Sequence, residues 1–106
     1  METALKALAE PNRRRILTLV RDEELTAGEI ASHFEVSRPA VSQHLTVLKE
    51  AGLVHERRNG TRRLYSVRTE GFKEVRAFLE GFWDARLEAL KREAEREERK
   101  KRGKHD

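Results

Sequence analysis

Arg38 stands just before Pro39, Ser42, Gln43 and Thr46 stand in the breaker-free stretch after it, and Arg57, Arg58, Arg62 and Arg63 follow in two pairs around Asn59-Gly60. In this order these residue types suit recognition. Glutamine can read adenine with two hydrogen bonds, arginine can read guanine, and serine or threonine serves a base or a phosphate. Clustered arginines neutralise phosphate and carry little sequence information. The order argues for a reader of duplex DNA. Ser37 to Ala51 would lie in the major groove, while Arg57, Arg58, Arg62 and Arg63 would grip phosphates or the adjacent minor groove.

Catalysis finds no support in the same residues. Ser42 and His44 are two apart, so on a helix they diverge by about 200° and cannot act as nucleophile and base. Gly28, Gly52 and Gly60 are isolated and build no phosphate cradle. The chain has no cysteine, which removes disulfides, thiolate catalysis and thiolate metal sites. His33, His44 and His55 fall on three different elements, so no metal site and no cofactor are expected.

The elements that must position the recognition residues are legible from their punctuation. Leu5 and Leu8 mark a first helix of about two turns, slimmed by Ala4, Ala7 and Ala9. Pro11 opens a second helix, where its missing N–H costs nothing, with Ile16, Leu17 and Val20 inward and Arg13, Arg14 and Arg15 largely outside. Thr26 and Glu29 have capping-box spacing at the start of a third, whose inward face is Ile30, Ala31 and Phe34. Ser37 is the N-cap of the recognition helix, and Gly52 supplies its left-handed stop. At about 100° per residue Val41, Leu45 and Leu48 share its inward face, leaving Arg38, Ser42, Gln43, Thr46 and Lys49 outward.

Asn59-Gly60 predicts a hairpin with a two-residue type I′ turn. That register sets Glu56 against Arg63, Val54 against Tyr65 and Arg57 against Arg62. Two like charges face to face are unfavourable unless an anion lies between them, or unless both side chains splay into water. From Val54 to Arg68 five arginines meet one glutamate, so this segment holds a charge equal to the whole chain's net +4.

Thr69 reads as the cap of a long last helix reaching about Lys101. Phe72, Val75, Leu79, Phe82, Trp83 and Leu90 share one side, widened by Phe78 and Leu87. That stripe exceeds what a small core needs, and a twofold partner covering it together with Leu5 and Leu8 is the simplest use of the excess. Beyond Leu90 nearly every residue is charged, with Glu88–Arg92 and Glu95–Arg99 among the i,i+4 pairs. We divide the chain into residues 1–90, a DNA-binding and dimerisation domain, and 91–106, a frayed, solvated helical tail. With 106 residues, 40% of them charged, a lone monomer buries only a modest core, which again favours a dimer. No apolar run spans a bilayer and the N-terminal residues lack a signal-peptide core, so the expected location is cytoplasmic.

From Leu8 to about Trp83 the chain resembles the ArsR family of winged helix-turn-helix repressors. The carrying segments are LAEPNRRRIL, LTAGEIASHFEVSRPAVSQHLTVLKEAGLV and RRNGTRRLYSV. The resemblance implies a mainly α fold with a small β-hairpin wing and a long C-terminal dimerisation helix. It also implies a prokaryotic homodimer that reads an inverted-repeat operator and represses its own or an adjacent operon. Metal sensing, for which the family is known, finds no counterpart: Ala31, Ser32 and His33 have no cysteine beside them, and no histidine lies between Thr69 and Lys104. The likeness is to the branch without a metal site, whose members are relieved by a partner protein, another ligand or dilution. His44, in Ser42-Gln43-His44-Leu45, follows the family pattern as a structural residue. Glu35 departs from it, because the turn before the recognition helix often carries a glycine with positive φ. The alternative reading is a winged-helix module whose basic wing binds protein or RNA.

Overall fold

A computed structural model describes residues 1–104, with the side chains at 84, 85 and 101–104 outside the description. His105 and Asp106, the end of the expected tail, therefore lie outside the described residues. The elements run α1 (Glu2–Leu8), α2 (Pro11–Val20), α3 (Ala27–Ala31), α4 (Arg38–Glu50), β1 (Val54–Asn59), β2 (Arg62–Val67), a 3-10 turn (Thr69–Phe72) and α5 (Lys73–Lys104). Two compact units result, residues 1–75 and the chain from Arg76 onward. The mainly α winged helix-turn-helix class is as the sequence implies.

The first unit packs around Ile16, Ile30, Val41, Leu45, Leu48 and Leu53, each at most 1% exposed. The buried side chains of α1 are Ala4 and Ala7, while Leu5 and Leu8 are only partly buried beside them. Alanine lets α1 approach the core closely, which a leucine on that line would prevent. Two arginines of α2 then seal the junction. Arg13 donates to the carbonyls of Ala7 at 2.7 Å and Lys6 at 3.1 Å, and Arg14 donates to Leu8 at 2.8 Å. They supply donors to carbonyls at the end of α1, that of Lys6 accepting from Ala9 as well. The α2 N-cap is Glu10, whose carboxylate accepts the Arg13 N–H at 2.9 Å.

The turn between α3 and α4 needs no left-handed residue. Tight bonds from His33 to Ile30 and from Phe34 to Ala31 carry the chain round, and among the described residues only Gly52 and Gly60 have positive φ. Glu35 is therefore unstrained, and the turn differs from the glycine-bearing type. After α4, Gly52 at φ +75° lets its N–H reach Lys49 and that of Leu53 reach Leu48, the paired bonds of a Schellman stop.

The hairpin register is shifted from the one predicted. Asn59 pairs with Arg62, so the two-residue loop is Gly60-Thr61, not Asn59-Gly60. Gly60 alone has positive φ, at +65°, which fits a type II′ turn, with glycine in its first central position. Arg57 consequently faces Leu64, Glu56 faces Tyr65, Val54 faces Val67, and the like-charged pair across the strands is Arg58 with Arg63. Leu25 extends the sheet by pairing with Tyr65 through bonds of 3.1 and 2.8 Å, which stitches the start of the helix-turn-helix to the wing.

Thr69 does not cap α5. It opens the 3-10 turn, which has no side-chain cap, and α5 begins at Lys73. Within that turn the backbone comes close to the end of α4, and any Cβ at Gly71 would collide with the carbonyl of Gly52. Val75 belongs to the core at 6% exposure and Phe72 packs against it. Farther along α5, Phe78, Leu79, Phe82, Trp83, Leu87 and Leu90 are all more than 40% exposed, and Phe78 meets Phe82 edge-to-face at 5.1 Å. Among the described residues no helix is long and apolar enough to cross a membrane.

Candidate nucleic-acid interface

Local sequence sets α4 in place. The Ser37 hydroxyl accepts the N–H of Ala40 at 3.3 Å, and Pro39 sits in the first turn, where no N–H partner is required. Val41, Leu45 and Leu48 are buried, so the opposite side of the helix must face solvent. Ser37, Arg38, Ser42, Gln43, Thr46 and Lys49 are all exposed, as the periodicity requires. Before α4, the capping box of Thr26 and Glu29 is complete, with both bonds at 3.1 Å.

The structure divides the residues expected to recognise DNA into three sets. Arg38 and Ser42 join Thr26, Ala27, Thr61, Arg62, Arg63 and Tyr65 around an open trough of about 530 Å³ between α4 and the wing. Thr46 and Lys49 line its neighbour with Glu56, Arg63 and Tyr65. Gln43 lines neither. It stands on the outer crest of α4, a turn before Val47, an apolar side chain left 38% exposed. Val47 is absent from the sequence-derived set, although its offset of four from Gln43 could have found it. Thr46 donates its hydroxyl proton to the Ser42 carbonyl at 3.0 Å, which leaves its oxygen free only to accept.

The wing arginines do not wait bare for a ligand. Arg57 donates Nε and Nη2 to the two carboxylate oxygens of Glu24, both at 2.9 Å. Arg62 reaches Glu29 at 2.9 Å, Arg63 lies 3.4 Å from Glu56, and Lys49 binds the same Glu56. The sequence argument expected Arg57 and Arg62 to repel across the hairpin until an anion came between them. Instead the register separates them and each has its own carboxylate. These partners lie 33 residues away along the chain, beyond any local pattern.

Electrostatics follow the pairing. Glu24 is held below the usual carboxylate range first by the hydrogen bonds from Arg57, with desolvation opposing. Glu29 is lowered chiefly by the Thr26 backbone and hydroxyl, with a smaller effect from Arg62. Glu56 is lowered first by Lys49, against desolvation, and further by Arg63 and Arg58. Burial and the Glu56 charge push the Tyr65 phenol up. His44 is set back from this face, its Nδ1 3.9 Å from the Glu10 carboxylate. Among the described residues no group of three or more His, Cys, Asp or Glu is placed to hold a metal ion.

Comparison with known proteins gives the family. Residues 10–56 match the family model for bacterial regulatory proteins of the arsR family. The chain is 42% identical over 69 residues to the transcriptional repressor SdpR of Bacillus subtilis, covering 65% of this chain and 77% of that protein. It is 45% identical over 86 residues to the HTH-type transcriptional regulator Rv2034 of Mycobacterium tuberculosis, covering 81% and 80%. Among solved structures, the homodimeric winged helix-turn-helix DNA-binding domain of Mb0332 from Mycobacterium bovis superimposes with a TM-score of 0.64. That match has 32% identity and covers 78% of this chain and 77% of that one.

Proposed function

From the premise that this chain belongs to the ArsR family of winged helix-turn-helix, DNA-binding transcriptional regulators, we propose that it is a homodimeric repressor reading an inverted-repeat operator. The observation that carries this is the trough between α4 and the wing, lined by Arg38, Ser42, Arg62 and Arg63. A phosphodiester backbone in the trough leaves Gln43 and Val47 on the crest to meet base edges, glutamine at an adenine and valine at a thymine methyl. Arg57, Arg58, Arg62 and Arg63 supply affinity from phosphates or the adjacent minor groove. Arg38, Ser42, Thr46 and Lys49 line the troughs, and Ser37 stands beside them at the start of α4.

The dimer in this reading forms through Leu5, Leu8 and Phe72 of the first unit and through Leu79, Phe82 and Trp83 of α5, with Val75 supporting from the core. Six large apolar side chains exposed on one helix support it, as does the homodimeric state of the Mycobacterium bovis domain. Repression of its own or an adjacent operon follows SdpR, a relative named a repressor. Metal independence rests on the absence of cysteine and of any histidine between Thr69 and Lys104, and relief would come from a small molecule, a partner protein or dilution. Duplexes selected from genomic DNA by the protein test the reading. They should share one palindromic motif, and zinc, nickel or cadmium should leave the complex intact. Steep preference for RNA or a protein over every duplex would favour the interaction-module alternative.

A further inference from the structure

Three of the four wing arginines, and the lysine closing the recognition helix, already hold an anion. Arg57 grips Glu24 with two donors, Arg62 holds Glu29, and Arg63 and Lys49 share Glu56. Among the described residues Arg58 alone of the four has no carboxylate within ion-pair distance. The two-pronged grip on Glu24 is the one guanidinium uses on phosphate. Glu24 and Glu29 are presented by backbone that is itself held in place. Glu24 precedes the Leu25 bridge to Tyr65, and Glu29 is locked by its capping box. The arginines, in contrast, are exposed long side chains free to turn. Exposed pairs of this kind shift an equilibrium by no more than about fivefold each, so they break readily when a better anion arrives.

We propose that Glu24, Glu29 and Glu56 are affinity-determining residues of this face, internal counter-anions that DNA phosphates must displace from Arg57, Arg62, Arg63 and Lys49. This rests on the DNA-binding reading above. Each exchange frees a carboxylate beside the duplex, which gathers a cation as the phosphate sheds one. Net ion release is therefore smaller than the count of basic residues implies, and so is affinity for every duplex.

The test is fluorescence anisotropy of the full chain on a selected operator and on a scrambled duplex, across a salt series. Glu24→Gln and Glu29→Gln should each tighten both duplexes by roughly two- to fivefold and steepen the salt slope by about one unit per protomer. Glutamine keeps the capping box at position 29, so folding is not at stake there. In an Arg57→Ala background the gain from Glu24→Gln should vanish. Wild-type binding to duplex with unchanged affinity and slope in both variants would overturn the exchange while leaving the DNA reading intact. Equal tightening by Glu23→Gln, a neighbouring glutamate with no ion pair among the described residues, would reduce the effect to net charge and also overturn it. A wild-type chain that binds no duplex at low salt defeats both.

Discussion

At the scale of single residues, the chemistry of this face is a contest of anions. The local part was legible in the sequence: Thr26, Glu29, Ser37 and Gly52 act within one helical turn of their partners, and the structure finds each cap in place. The pairs of Arg57 with Glu24 and of Arg62 with Glu29 were not, because no periodicity links residues 33 apart. Those pairs carry a pH signature. A carboxylate whose folded pKa lies below its unfolded value, near about 4.3, adds stability that is present above that value and lost as pH falls through the folded one. Glu24 and Glu56 are lowered first by Arg57 and Lys49, so attachment of the wing should weaken on acidification. Carbon-detected NMR of the Glu24 carboxylate should give a midpoint below that of a glutamate in a short peptide. A midpoint at or above the peptide's would contradict the pairing.

At the scale of elements, helix boundaries were read well and junctions poorly. The hydrophobic repeat of α4 places Val41, Leu45 and Leu48 inward as predicted, because burial enforces it. The hairpin slipped by one residue because Asn59-Gly60 and Gly60-Thr61 both suit a primed turn. Pairing of β2 with Leu25, a long-range contact, accompanies the register found. Thr69 was misread beside another tertiary contact, that of Gly71 against Gly52. The α1–α2 junction shows the same limit: Arg13 and Arg14 looked like solvent residues and instead terminate α1. Arg13→Ala removes the part-buried bond to the Ala7 carbonyl and an exposed one to Lys6, and should cost about 1–3 kcal/mol in urea unfolding, chiefly through Ala7. A midpoint equal to wild type would show that water satisfies α1 equally well.

At the scale of the whole molecule, a monomer leaves Phe82 63% and Trp83 58% exposed, which a soluble chain rarely tolerates without a partner. Sedimentation at micromolar concentration should give a dimer, and Phe82→Glu with Trp83→Glu should give a folded monomer, since neither side chain is buried within its own chain. A double variant sedimenting like wild type would place the interface elsewhere. The central claim is that α4 reads bases while the wing reads charge. Its most direct test compares Gln43→Ala with Arg62→Ala on a panel of single-base operator variants over a range of salt. Gln43→Ala should relax preference at one position per half-site, costing roughly 1–3 kcal/mol on the operator. Arg62→Ala should weaken all duplexes alike and leave the order of preference unchanged. Altered preference from Arg62→Ala, with uniform weakening from Gln43→Ala, would contradict the placement of α4 in the groove.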